Sequence, residues 1–223
     1  DGHKAAEMRQ TASLQLIKHP KVNIRIEAAE MLSEHKSEAA LTALLGLCSD
    51  FDSSVRQQAL QSLEGFDAPQ VHEQLLKGLQ DEDYIIRATA AELLGNRSDL
   101  SSVETLIHSL KDPYYMVRAT AAEALGKMEA FLAAPALRDL LLDSDQWVRY
   151  SAAESLGQIE PDENIWQVLM EANCTDPAAR HEAVKDLQQL ADPRAIPTLI
   201  RLLKDEPEIS SAALTSLESF HDP

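Results

Sequence analysis

The sequence is poor in the residues that announce chemistry or special backbone geometry. It has two cysteines, seven glycines, ten prolines and ten aromatic residues in 223 positions. Cys48 and Cys174 stand far apart and in no metal-ligand spacing, so they predict ordinary half-buried thiols in a reducing, cytoplasmic compartment. No apolar run approaches the roughly 18 residues that span a bilayer, and no secretory leader is expected. Glycine-rich phosphate loops, the HExxH zinc motif and the nucleophile elbow are all missing.

Basic charge is also scarce: 20 Lys and Arg against 37 Asp and Glu, a formal charge of −17. Nucleic-acid backbones and anionic membranes select basic surfaces, so neither is an expected partner. What the chain has in quantity is alanine and leucine, a composition for closely packed helices.

It also repeats itself. Arg25, Arg56, Arg87, Arg118, Arg149 and Arg180 are spaced 31 residues apart without slippage. Three positions after each stands Ala28, Ala59, Ala90, Ala121, Ala152 or Ala183, and seven after each Leu32, Leu63, Leu94, Leu125, Leu156 or Leu187. The preceding position is Ile24, Val55, Ile86, Val117, Val148 or Ala179. Offsets of four residues put these columns on one face of a first helix. Gly95, Gly126 and Gly157 follow the last leucine and are predicted to cap it. A second helix of about three turns is predicted in "VETLIHSLKD", "APALRDLLLD" and "AIPTLIRLLKD", with Pro135 and Pro197 in its opening turn. Ser210, Ala213 and Leu217 continue the pattern one residue out of register.

One such helix pair cannot bury its apolar face alone, so the expected fold is all-α: a right-handed α-solenoid of about seven stacked units in one domain, 1–223. The pattern D-x-x-x-x-V-R-x-x-A-A-x-x-L-G for the first helix, with A-I-P-x-L-I-x-L-L-K-D for the second, resembles the short HEAT-like repeat, the type also found in phycobilisome lyases. The resemblance implies a scaffold fold and says little about activity. Both ends break the two-helix unit, so the chain is expected to be part of a longer array.

The repeated arginine is read as structural. Asp50, Asp81, Asp112 and Asp143 lie six residues before Arg56, Arg87, Arg118 and Arg149, and Asp52, Asp83, Asp145 and Asp176 lie four before an arginine. Such acids are expected to accept from the arginine of their own repeat or to cap its helix. Arg25 has His19 and Lys21 at those offsets and should be the most loosely held.

Catalysis finds little support. "RHEA" at 180–183 is similar to the His-Glu pairs of deoxyhypusine hydroxylase, but the matching slots hold Ile26-Glu27, Gln57-Gln58, Ala88-Thr89, Ala119-Thr120 and Tyr150-Ser151. A di-iron site needs such ligands from several repeats, so that enzyme is rejected and no metal or cofactor is expected. A DNA-glycosylase role fails on charge.

Two surfaces remain as candidates. Second helices are expected to line the concave side, where the His108 slot runs Gln15, Gly46, Lys77, His108, Asp139, Met170 and Arg201. Such an irregular column suits one particular protein partner, or is simply a solvated face. Tyr84, Tyr114, Tyr115, Trp147 and Tyr150 cluster near the arginines of three successive repeats. They form either an exposed binding ridge or packing between repeats, since Trp147 shares its slot with Ile85 and Met116. The expected function is a non-catalytic scaffold for another protein. The rivals are a phycobilin lyase-like subunit, on the repeat type alone, and a recruiting module of a larger enzyme.

Overall fold

A computed structural model describes residues 2–161 and 165–220. Fourteen α-helices and no strand occur among the described residues. The first helices of the repeats are α2 (Val22–Ser33), α4 (Ser53–Leu63), α6 (Tyr84–Arg97), α8 (Tyr115–Lys127), α10 (Gln146–Ile159), α12 (Pro177–Leu190) and α14 (Pro207–Ser219). The second helices are α1 (Gly2–Leu16), α3 (Glu38–Leu47), α5 (Pro69–Gly78), α7 (Val103–Ser109), α9 (Ala134–Leu140), α11 (Ile165–Glu171) and α13 (Ile196–Leu202). The chain divides into two compact units, 1–105 and 106–223, with the division inside α7.

Within each unit the periodic columns form the core. Val55, Ala59 and Leu63 of α4 are fully buried, as are Val117, Ala121 and Leu125 of α8 and Val148, Ala152 and Leu156 of α10. Burying each Leu or Val contributes about 1.5–3 kcal/mol, and the small central alanine sets how near the next helix comes. Four first helices, α4, α6, α10 and α12, are started by an aspartate in the turn before them. Asp52, Asp83, Asp145 and Asp176 accept the backbone N–H two residues on, at 2.9, 2.9, 2.9 and 3.2 Å. At α8 the cap position is Tyr114, and its own N–H donates to Asp112 Oδ1 at 2.8 Å.

Two expectations about helix ends are corrected. The second helices α7, α9, α11 and α13 span seven residues each, about two turns rather than three; 3-10 turns precede α7, α9 and α13. Nor do the glycines cap: α6, α8 and α10 run past Gly95, Gly126 and Gly157. The left-handed positions fall later, at Ser98 (φ 50°), Glu129 (φ 48°) and Ala191 (φ 49°). Gly126 has a different task. A methyl group on it would lie 2.7 Å from Ser155 Cβ, so its bareness lets α10 approach α8. Ser155 exploits the approach, its one hydroxyl proton shared between the Ala122 carbonyl across the seam at 2.8 Å and the Ser151 carbonyl of its own helix at 2.7 Å.

Candidate partner-binding surface

The arginines build the frame on which any surface is displayed. Arg118 donates from Nε and Nη2 to both oxygens of Asp143, at 2.8 and 2.7 Å, a fork closing on a carboxylate 25 residues downstream. Arg25 grips Asp50 at 2.7 and 2.7 Å, Arg56 grips Asp81 at 2.9 and 2.7 Å, and Arg180 grips Asp205 at 2.8 and 2.7 Å. The third nitrogen, Nη1, serves its own repeat. It donates to the backbone carbonyl six residues back, Asp112 for Arg118 and Asp81 for Arg87, at 2.8 Å in both.

This corrects the expected pairing. Asp112 gives Arg118 a carbonyl; the carboxylate comes from Asp143 in the following turn. Arg25 is therefore tightly held, because Asp50 lies ahead of it and the His19 carbonyl takes its Nη1 at 2.9 Å. Hydrogen bonding from Arg25 holds the Asp50 carboxyl below its ordinary range, and Arg180 does the same for Asp205. Arg149 is the exception: position 174 is a cysteine, and no carboxylate pairs with Arg149 among the described residues.

The aromatic residues of the second unit stand out from this frame. Tyr114, Tyr115 and Tyr150 are each close to half exposed, and Trp147 is 68% exposed. Trp147 and Tyr150 meet edge to face, with ring centroids 6.5 Å apart and planes at 82°. Packing between repeats does not account for Trp147: its slot points outward, as the exposure of Met116 one repeat earlier confirms for that slot. Tyr84 belongs to the first unit and is partly buried. Composition alone does not flag Phe51, which projects fully into solvent from the turn before α4 while its carbonyl accepts from Arg56.

The second-helix column is exposed at Lys77 in the first unit and at His108, Asp139 and Arg201 in the second. Arg201 is not a free cation, because its Nη2 donates to the Ala172 carbonyl at 2.9 Å, and desolvation draws its proton affinity down. Asp139 lines a cleft of about 480 Å³ between α9, α11 and α13, with Pro135, Leu142, Trp166 and Pro197. Trp166 is buried at its base and donates from Nε1 to the Glu160 carbonyl at 3.2 Å. The guanidiniums of Arg138 and Arg194 lie 5.5 and 4.9 Å from its ring centroid. Each is oriented by an acid, Arg138 by Glu160 and Arg194 by Asp192. The signal for this site was in the register: Trp166 occupies the slot of Pro135 and Pro197, 31 residues away on either side.

In the first unit a groove of about 810 Å³ between α1 and α3 is lined by Leu14, Ile17, Thr42, Gly46 and Phe51. Cys48, at the end of α3, is buried, and burial pushes its thiol up to about 12. Cys174 is partly exposed. In the "RHEA" segment Arg180 joins the ladder and Ala183 the core, while Glu182 is exposed and pairs with Lys185 at 2.9 Å. Among the described residues no group of three or more His, Cys, Asp or Glu is placed to hold a metal ion, and no helix is long and apolar enough to cross a membrane.

Stacked two-helix units, joined by arginine–aspartate clamps at Arg25, Arg56, Arg118 and Arg180 and carrying grooves on their second helices, define the α-solenoid class. HEAT repeats match residues 9–70, 72–163 and 166–223, and the chain belongs to the HEAT-repeat family. Solved structures agree on the fold. The CpcE–CpcF complex of phycocyanin lyase from Nostoc sp. PCC7120 is 20% identical with a TM-score of 0.60, over 96% of this chain and 88% of that one. Human deoxyhypusine hydroxylase is 21% identical with a TM-score of 0.51, over 100% and 88%. A computationally designed armadillo repeat protein for modular peptide recognition is 18% identical with a TM-score of 0.51, over 94% and 99%. No curated protein matches the sequence.

Proposed function

We propose that the protein is a binding module for another protein, and that the second unit supplies a principal contact surface. The observation that carries this is the exposed aromatic group of Tyr115, Trp147 and Tyr150, which the fold holds in water rather than in its core. Tyr and Trp give large contact area at small entropic cost and anchor many interfaces. The partner segment is basic, since a chain of charge −17 steers and retains cationic surfaces. Within the second unit the column of His108, Asp139 and Arg201, different from repeat to repeat, supplies selectivity, and the Trp166 cleft accepts an apolar or aromatic side chain beside Asp139.

The test uses cross-linking and capture with the purified chain, followed by titration of the captured partner. Trp147→Ala with Tyr115→Ala should weaken binding at least tenfold, the size of effect expected for losing an anchor, while helicity and melting stay within those of the parent. Undiminished binding by the double variant would overturn the reading.

The second reading is a bilin-handling subunit similar to phycocyanin lyase, favoured by the shape and the paired arginines of the Trp166 cleft. Titration with a bilin decides it: a red-shifted band that Trp166→Ala abolishes would support it, and an unchanged spectrum would remove it.

A further inference from the structure

The arginine ladder has one broken rung. Arg149 is anchored like the others, with Nη1 donating to the carbonyls of Asp143 and Ser144 at 2.7 and 3.2 Å. In Arg25, Arg56, Arg118 and Arg180 that anchorage turns the Nε–Nη2 edge toward the residue 25 positions on, always an aspartate. For Arg149 that residue is Cys174. Arg149 is 4% exposed, and its Nε is buried without a hydrogen-bond partner.

The helices on either side of this rung are also set wider apart than α8 and α10, although their core residues stay buried. α10 packs closely on α8 but not on α12, whereas α12 packs closely on α14. The glycines report the same difference. A methyl group on Gly126 would strike Ser155 across the α8–α10 seam, while one on Gly157, its counterpart toward α12, would meet nothing within 4 Å. Arg149 is thus a buried charged donor, and the register of the other four rungs assigns its Nε–Nη2 edge to position 174, which holds no carboxylate.

Cys174 can become that acceptor. Its Sγ is 3.4 Å from the Asp176 carbonyl in a partly exposed turn, within reach of a small oxidant. Hydrogen peroxide converts a thiol to sulfenic acid, one peroxide oxygen being added to sulfur and the other leaving as water. A second peroxide adds a second oxygen and releases a second water, giving sulfinic acid, which ionises. Cysteine sulfinate is the sulfur counterpart of aspartate: two oxygens on the atom beyond Cβ, sharing one negative charge. We propose that Cys174 is a peroxide modification site, and that its sulfinate is the bidentate ligand that the Nε–Nη2 edge of Arg149 lacks. Cys48 does not compete, since burial keeps its thiol protonated and covered.

The experiment treats the full chain with hydrogen peroxide, maps the mass change by peptide and measures hydrogen exchange at the start of α12. The expected result is a gain of about 32 Da, two oxygens, on the Cys174 peptide and none on the Cys48 peptide. Exchange in the first turn of α12 should slow about tenfold, in line with a charge-assisted pair. Cys174→Asp should show the slow exchange without peroxide, and Cys174→Ser should not. In Arg149→Gln, oxidation of Cys174 should leave exchange unchanged. Disulfide-linked dimers in place of sulfinate would overturn the proposal. So would equal slowing in Arg149→Gln, or exchange in Cys174→Asp no slower than in Cys174→Ser. Should Arg149→Gln fail to fold, the comparison of Cys174→Asp with Cys174→Ser decides alone.

Discussion

Arg118 and Asp143 sit in consecutive repeats, yet each oxygen of the carboxylate takes one nitrogen of the guanidinium, at 2.8 and 2.7 Å. Both side chains are about nine-tenths buried. Asp143 Oδ1 also accepts the backbone N–H of Asp145 at 2.8 Å, so one carboxylate fixes a turn and a neighbouring helix together. Asp143→Asn keeps the shape and loses the charge. It should destabilise the chain by about 2 kcal/mol, the scale of removing one partner from a charge-assisted pair. Denaturant midpoints of the variant and parent would measure it, and a difference under about 0.5 kcal/mol would contradict a structural role for the pair.

The same pairs set the response to acid. Asp50 and Asp205 are held below their ordinary carboxylate range by hydrogen bonds from Arg25 and Arg180. A carboxyl whose folded value is depressed contributes stability that is complete above its unfolded value, near 3.9, and disappears as pH falls through the folded value. Helicity should therefore hold at pH 5 and above and be lost below about pH 4. Circular dichroism against pH would show it. Loss beginning near pH 6 would point instead to histidine.

Gly126→Ala should cost stability although Ala is the better helix former. The added carbon would fall 2.7 Å from Ser155 Cβ and Oγ and 2.8 Å from its Cα, contacts that only movement of α10 can relieve. Overpacking of this kind costs about 1–3 kcal/mol. Gly157→Ala, with open space at the same slot, should instead gain a few tenths to about 1 kcal/mol. Thermal midpoints moving in the same direction for both variants would count against the difference between the two seams.

Ala191→Gly should stabilise. Ala191 ends α12 in the left-handed region at φ 49°, which costs a side-chain-bearing residue about 1 kcal/mol that glycine does not incur. A rise in melting temperature would show it. A fall would mean that the entropy glycine adds to the unfolded chain outweighs the relieved strain.

The repeat, its helices and its core columns were legible because burial imposes its period directly on residue type. Val117, Ala121 and Leu125 could be assigned inward from their four-residue spacing alone. The arginine's partner was not legible, and the reason is arithmetic. With a period of 31, the aspartate 25 residues after Arg25 is also the one six residues before Arg56. Periodicity cannot tell the two assignments apart; only the reach of the side chain across the seam does. The glycines misled similarly, since a small residue near a helix end serves a cap and a close crossing equally well. At the Trp166 cleft the register marks the slot, where a tryptophan replaces the prolines of the neighbouring repeats, but residue type alone does not show that the slot opens into a cleft.

Asp50, Asp81 and Asp143 also work in two directions, the side chain turned to the arginine of the repeat behind and the carbonyl to the arginine ahead. A 31-residue stretch built around one of these aspartates therefore carries half of two clamps. A tandem duplication of residues 113–143 would deliver a complete new joint, with Arg118 meeting the first copy's Asp143 and the second copy's arginine meeting its own. Such an array can lengthen or shorten by whole units without inventing a contact, whereas a shorter insertion between an arginine and its aspartate would have to be absorbed in the loops to keep the clamp closed.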